Sequence, residues 1–158
     1  MTISFYRLIW ALPVAFALHV FEEFATGYPA WATMVTGHPM ELPTFLGSNI
    51  AFIVIMALLV RWAAKAQSTR AVFWMLAWAA GNLFWNFVYH FACVLAYDRN
   101  SPGLITATLI YYPLSLALWQ AALAEKIVRP ATLAGAIAAG GAFMGAVAAF
   151  GIYHLGGA

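Results

Sequence analysis

Charged residues are scarce in this sequence. Lys and Arg total seven and Asp and Glu total five, which together make 8% of the 158 residues, whereas hydrophobic residues make 65%. The mean hydropathy is +0.87. Because soluble domains carry about 25% charged residues, this composition excludes an ordinary soluble domain. It indicates an integral membrane protein, and we expect residues 1–158 to form a single domain.

A basic patch and a cysteine pair are also missing. The formal net charge is only +2, and the basic residues are scattered around the ends of apolar segments instead of forming a surface that follows phosphates. We therefore expect no nucleic-acid partner. Cys93 is the only cysteine, which excludes an intramolecular disulfide. Within an apolar run a lone thiol is more often a small core residue than a nucleophile.

Long apolar runs dominate what is present. A helix that spans a bilayer needs about 20 apolar residues, and five segments meet this requirement: residues 5–26, 44–66, 71–97, 104–127 and 131–154. The predicted fold class is therefore all-α, a multi-pass transmembrane bundle with five spans. The connection of residues 27–43 is rich in Pro and Gly, which predicts an irregular loop with Tyr28 and Trp31 at the membrane interface.

The distribution of positive charge predicts the orientation. With five spans, the Lys and Arg residues fall on one side of the membrane except for Arg99, which falls on the other. Since Lys and Arg accumulate in the cytoplasm, we expect a cytoplasmic amino terminus and an external carboxyl terminus, in a bacterial cytoplasmic membrane. The four His residues then belong to the outer half of the molecule: His19, His38, His90 and His154.

Three ionisable residues, His19, Glu22 and Glu23, stand where a membrane helix normally has none. Each costs about 2.5 to 3.5 kcal/mol at bilayer depth, so the cluster needs a functional or structural partner. At 100° per residue the three share one helix face, although the spacing leaves open which Glu faces the bundle. A signal peptide would have small residues for cleavage here, so we expect the first segment to be retained.

The third span carries a second polar stripe. Asn82, Asn86 and His90 follow at positions i, i+4 and i+8, which places them on one face of an otherwise apolar helix. We take His90 and Asn86 as candidate site residues. Asn82 lies a turn deeper and is expected to join helices through a hydrogen bond. His38 and His154 are left without a role.

His19-Val20-Phe21-Glu22-Glu23, the later His90 and Pro102-Gly103 together resemble the HXXEE domain family of small integral membrane proteins. The resemblance extends over roughly residues 10 to 120. The second motif of that family usually reads Tyr-x-Pro-Gly, whereas this chain has Asn100-Ser101-Pro102-Gly103. The function of the family is unknown, so the resemblance implies a membrane protein with a His and Glu site and no particular reaction.

The ionisable residues favour a membrane enzyme that acts on a small lipophilic substrate near the outer leaflet. In one mechanism a divalent metal such as zinc is bound by His19, His90 and Glu22 or Glu23, the remaining Glu is the general base and Asn86 assists, as in a hydrolase. In the other, without metal, Glu23 holds His19 as a proton donor and acceptor, as in an isomerase or cyclase.

Two other functions remain open. One is a transporter in which the acidic cluster loads a proton or a cation. The other is a structural or assembly subunit, in which the His and Glu residues clamp helices together. The expected partners are membrane lipid and a second copy of the chain, which would dock on the G-x-x-x-G face of Gly141 and Gly145.

Overall fold

The computed structural model describes residues 3–150, and the side chains of residues 3–149. In this part of the chain all regular elements are helices, and five of them are long and apolar enough to cross a membrane. These five are α1 (Phe5–Ala25), α3 (Leu42–Ala66), α4 (Thr69–Tyr97), α5 (Leu104–Ala124) and α6 (Pro130–Phe150). The predicted all-α class and the five candidate spans are confirmed, and the predicted end of the last span, residues 151–154, lies outside the described residues.

The connection between α1 and α3 is not the irregular loop that was predicted, because it contains a further helix, α2 (Tyr28–Thr36). Pro29 stands in the first turn of α2, where its missing N–H removes no intrahelical hydrogen bond. Gly27 and Gly37 flank the helix with φ angles of +82° and +73°, which a glycine adopts without strain. Tyr28 and Trp31 are 1% and 8% exposed, so both are buried in the bundle rather than placed at its edge.

Helix α4 is the central helix of the bundle. Its most apolar window is 61% buried, against 17–33% for the other four long helices. It packs against α3, α5 and α6, and α1 packs against α3 and α5. Ser68 caps the start of α4, since its hydroxyl accepts a hydrogen bond from the N–H of Ala71 at 3.3 Å. Side chains on α4 that face α1 and α5 therefore lie in the interior.

Helix α6 reaches α4 through small residues. A Cβ atom on Gly140 would lie 2.5 Å from the carbonyl oxygen of Ala77, and one on Gly141 would lie 2.8 Å from the indole of Trp85. Gly141 is thus used for packing within the chain. A Cβ on Gly145 would meet no atom within 4 Å. Association of two copies through Gly141 and Gly145 stays a prediction.

Two stretches of π-helix interrupt the long helices. Residues 80–85 form one inside α4, and residues 107–111 form the other inside α5. The two stretches contact each other. A π segment inserts an extra residue into a turn and is frequent at functional sites. Asn86 directly follows the first segment and Tyr111 ends the second.

Candidate functional site

Helices α1 and α4 bring two imidazoles and one carboxylate together near the α5 end of the Asp98–Gly103 connection. His19 and Glu23 lie one turn apart on α1, and His90 lies on α4; they are 2%, 2% and 0% exposed. The Nε2 atoms of His19 and His90 are 3.2 Å apart. Glu23 Oε1 lies 3.5 Å from the first of these nitrogens and 3.4 Å from the second. We call these three side chains the triad.

The three facing atoms of the triad, Nε2 of His19, Nε2 of His90 and Oε1 of Glu23, can share a proton or a metal ion. The hydroxyl of Thr106 donates to the carbonyl oxygen of Gly103 at 3.3 Å, so it accepts from Nδ1–H of His19 at 2.9 Å. In the neutral ring this leaves a lone pair on His19 Nε2. Glu23 Oε1 is buried and has no hydrogen-bond partner within the described residues. Lone pairs this close repel unless a proton or a metal ion lies between them.

Residues 101–106, which we call the roof, cover the triad. The hydroxyl of Ser101 lies 2.8 Å from Nδ1 of His90, and the hydroxyl of Thr106 holds His19. Gly103 has a φ angle of +95°, and a Cβ on it would lie 2.7 Å from the His19 ring and 2.9 Å from both Glu23 and His90. Only a residue without a side chain fits at this point of the roof.

The carboxylate of Glu22 fastens the roof instead of joining the triad. Its Oε1 accepts a hydrogen bond from the N–H of Ile105 at 3.1 Å, and its Oε2 accepts one from the N–H of Thr106 at 2.7 Å. These N–H groups belong to the first turn of α5, where they have no partner within the helix. The geometry therefore brings Glu23 rather than Glu22 to the imidazoles. The predicted parts of both residues in metal binding and catalysis stay predictions.

Asn86 lies one turn from His90 on the same face of α4. It is 7% exposed, and its Oδ1 is buried without a hydrogen-bond partner within residues 3–149. Such an acceptor generally has a partner that is a water or a ligand. Asn82, expected to join helices, instead donates from Nδ2 to the carbonyl oxygen of Trp78 in its own helix at 2.9 Å.

The remaining candidates from the sequence lie elsewhere. His38 is in the connection between α2 and α3, where its backbone N–H donates to the hydroxyl of Thr36 at 3.2 Å, and it is not part of the triad. His154 lies outside the described residues.

Sequence reasoning missed four residues of this site. Ser101 and Thr106 hold the imidazoles, Gly103 lies against them, and the ring of Tyr111 packs on His19 with centroids 4.4 Å apart. Ser101 and Gly103 were noticed only as part of the family resemblance. A hydroxyl residue near a helix start is common, so the sequence held no clear signal for Thr106. Tyr111 is one of many aromatic residues in the apolar segments, so it gave no clear signal either.

A comparison with family models gives one match at this site. The model described as "Protein of unknown function with HXXEE motif" matches residues 10–118, a range that includes the triad and the roof. No curated protein and no solved structure matches the chain.

Proposed function

We propose that this protein is a membrane protein whose triad binds a divalent transition-metal ion and acts on a small lipophilic substrate. The chain belongs to the HXXEE family of proteins of unknown function. The observation that carries this proposal is the spacing of the three facing atoms, 3.2, 3.4 and 3.5 Å. A tetrahedral zinc ion with bonds of about 2.0 to 2.2 Å has its ligand atoms about 3.3 to 3.6 Å apart.

The ligand types support a catalytic rather than a structural metal. Two imidazole nitrogens and one carboxylate oxygen form a set that zinc enzymes use, and they leave a fourth position for water or substrate. The other nitrogen of each imidazole is held by a hydroxyl, of Ser101 or Thr106. Such outer partners fix the tautomer and the direction of a metal-binding His.

The residues around the triad would bind and orient a substrate. A zinc ion at this place would lower the pKa of a bound water to about 7 and polarise a carbonyl or phosphoryl oxygen. The buried acceptor Oδ1 of Asn86, one turn from His90, would take a hydrogen bond from the substrate. Tyr89 and Tyr111 pack against His90 and His19 with ring centroids 5.3 and 4.4 Å apart, which gives the site aromatic walls.

A shared proton, without metal, is the second candidate for what joins the facing atoms of the triad. The 3.2 Å between the two Nε2 atoms also fits a hydrogen bond from the Nε2–H of His90 to the Nε2 of His19. The triad would then be an acid/base pair held by Glu23, as an isomerase or cyclase requires. Metal analysis separates the two candidates.

We expect purified wild-type protein to contain about one zinc or similar ion per chain, and His19→Ala to contain almost none, because two ligands hold zinc far more weakly than three. His38→Ala is the matched control and should keep the metal. Elemental analysis gives the metal content.

Activity is a second measurement. Hydrolysis of a short-chain nitrophenyl ester should fall when a chelator is added and return when zinc is restored. If wild-type protein holds no stoichiometric metal and a chelator changes nothing, the metal mechanism is wrong and the shared proton remains.

A position in the membrane is supported by the outer surface of the bundle. Large apolar side chains are exposed there, among them Phe21, Leu95 and Ile105 at 70%, 72% and 64%. Monomers in water rarely expose a continuous surface of this kind. The charge distribution supports an orientation with the triad near the external face and the amino terminus in the cytoplasm.

The orientation is tested with single cysteines in a Cys93→Ala background. Glu41→Cys lies in the connection before α3, and Lys65→Cys lies in the last turn of the same helix; both positions are exposed. In intact cells a membrane-impermeant maleimide should label Glu41→Cys and should reach Lys65→Cys only after permeabilisation. The opposite labelling would show that the triad faces the cytoplasm.

The interior of the bundle gives less support to a transporter. The buried Asn and Ser side chains below the triad reach only to the middle of α4 and α5, at Asn82 and Ser115. Beyond them, the core of the described residues consists of apolar side chains such as Met75, Leu118 and Phe5. An ion or a proton that crossed would need polar groups along this stretch.

A further inference from the structure

A cavity lined by two basic side chains lies at the end of the bundle opposite the triad. Its volume is about 690 Å³, and it forms where α5 turns into α6 beside the start of α4. Lys126 and Arg129 supply its charge, and Thr69 and Thr132 supply hydroxyl groups. The remainder of the lining is aliphatic and includes Leu123 and Ile127. The cavity thus has a cationic part and an apolar part.

The two cations are not neutralised by carboxylates within the described part of the chain. The ion pairs found there join only the residues of the triad. Glu125 is next to Lys126 in sequence, but its Oε1 accepts a hydrogen bond from the backbone N–H of Phe5 at 2.7 Å. That carboxylate is therefore committed to the start of α1. An uncompensated pair of cations facing a cavity attracts an anion.

We propose that this cavity binds the phosphate of an anionic phospholipid, with the glycerol and the first part of an acyl chain against the aliphatic lining. The proposal depends on the membrane location proposed above and not on the triad. Basic cavities between membrane helices on the cytoplasmic side are suited to anionic headgroups. A free phosphate would leave the apolar half of this lining unused, whereas a phospholipid matches both halves.

The test is a lipid titration of the full chain in detergent. Phosphatidylglycerol, phosphatidylcholine or inorganic phosphate is added, and thermal unfolding is followed by fluorescence of the seven Trp residues. We expect phosphatidylglycerol to raise the midpoint of unfolding with saturation. The double variant Lys126→Gln/Arg129→Gln should weaken the apparent affinity about tenfold or more, since each basic residue near an anionic headgroup matters by about 1 kcal/mol.

The matched control is Arg61→Gln/Lys65→Gln, which removes the same charge from α3, outside the cavity. It should respond to phosphatidylglycerol within about threefold of wild type, because neither residue lines the cavity. An equal loss in this control would show general charge attraction and overturn the site. An equal response to phosphatidylcholine would do the same, and an equal response to inorganic phosphate would replace the lipid by a free anion. Unchanged zinc content in the Lys126 and Arg129 variant keeps this result separate from the triad.

Discussion

Replacing Gly103 by Ala is expected to lower the metal affinity of the triad by about 100-fold or more, at the upper end of what loss of an outer partner costs. The new Cβ would lie 2.7 Å from the His19 ring and 2.9 Å from Glu23 and His90, which is closer than carbon atoms pack. The φ angle of +95° adds backbone strain. Since the rings cannot keep their places, the three facing atoms should separate. Zinc content and zinc-dependent thermal stability measure the result.

Two other glycines separate contact from strain. Gly27→Ala has the same kind of backbone strain, with φ of +82°, but its Cβ would meet no atom within 4 Å. Gly47→Ala, inside α3, also meets no atom within 4 Å. Both controls should keep the metal, although Gly27→Ala should unfold at a lower temperature. Metal loss in Gly27→Ala equal to that in Gly103→Ala would mean that backbone strain alone, and not contact of the new Cβ with the triad, decides the affinity.

The five long helices can be predicted from the sequence because each is a long apolar run. In lipid every backbone N–H and C=O must be paired within the chain, so an apolar run such as residues 44–66 has few alternatives to a helix. Helix α2 escaped prediction for the opposite reason. It has only nine residues, and Pro and Gly in a sequence usually indicate a loop. Here Pro29 stands in the first turn of the helix and Gly37 ends it.

The ionisable part of the site can be predicted for a related reason. His19, Glu23 and His90 are costly in an apolar segment, so their presence is itself a signal. The sequence spacing does not show which of Glu22 and Glu23 faces the imidazoles, because each lies close to the helix face of His19. The position of α5 decides it, since its first backbone N–H groups donate hydrogen bonds to the Glu22 carboxylate. Tertiary contacts of this kind leave no periodic pattern in the sequence.

Glu23→Gln should remove the metal from the triad, whereas Glu22→Gln should keep it. Each change replaces a carboxylate by an amide of the same size, at adjacent positions of α1. In Glu23→Gln the anionic ligand atom that lies 3.4 and 3.5 Å from the imidazoles is lost. We expect the metal affinity to fall by more than the roughly 10–100-fold that follows the loss of a residue that only holds a metal ligand in place. Elemental analysis of the two purified variants beside wild type measures this difference.

Glu22→Gln should act on the roof instead. Its amide can accept only with one oxygen, so one of the hydrogen bonds from Ile105 and Thr106 is lost, and a hydrogen bond to a charged group is worth about 1.5 to 3 kcal/mol. The backbone amides of these two residues should exchange with deuterium faster, and zinc should bind at full stoichiometry but about tenfold more weakly, as for other outer partners. The opposite result would reverse the assignment of Glu23 to the triad. That result is a Glu22→Gln variant that binds no metal and a Glu23→Gln variant that does.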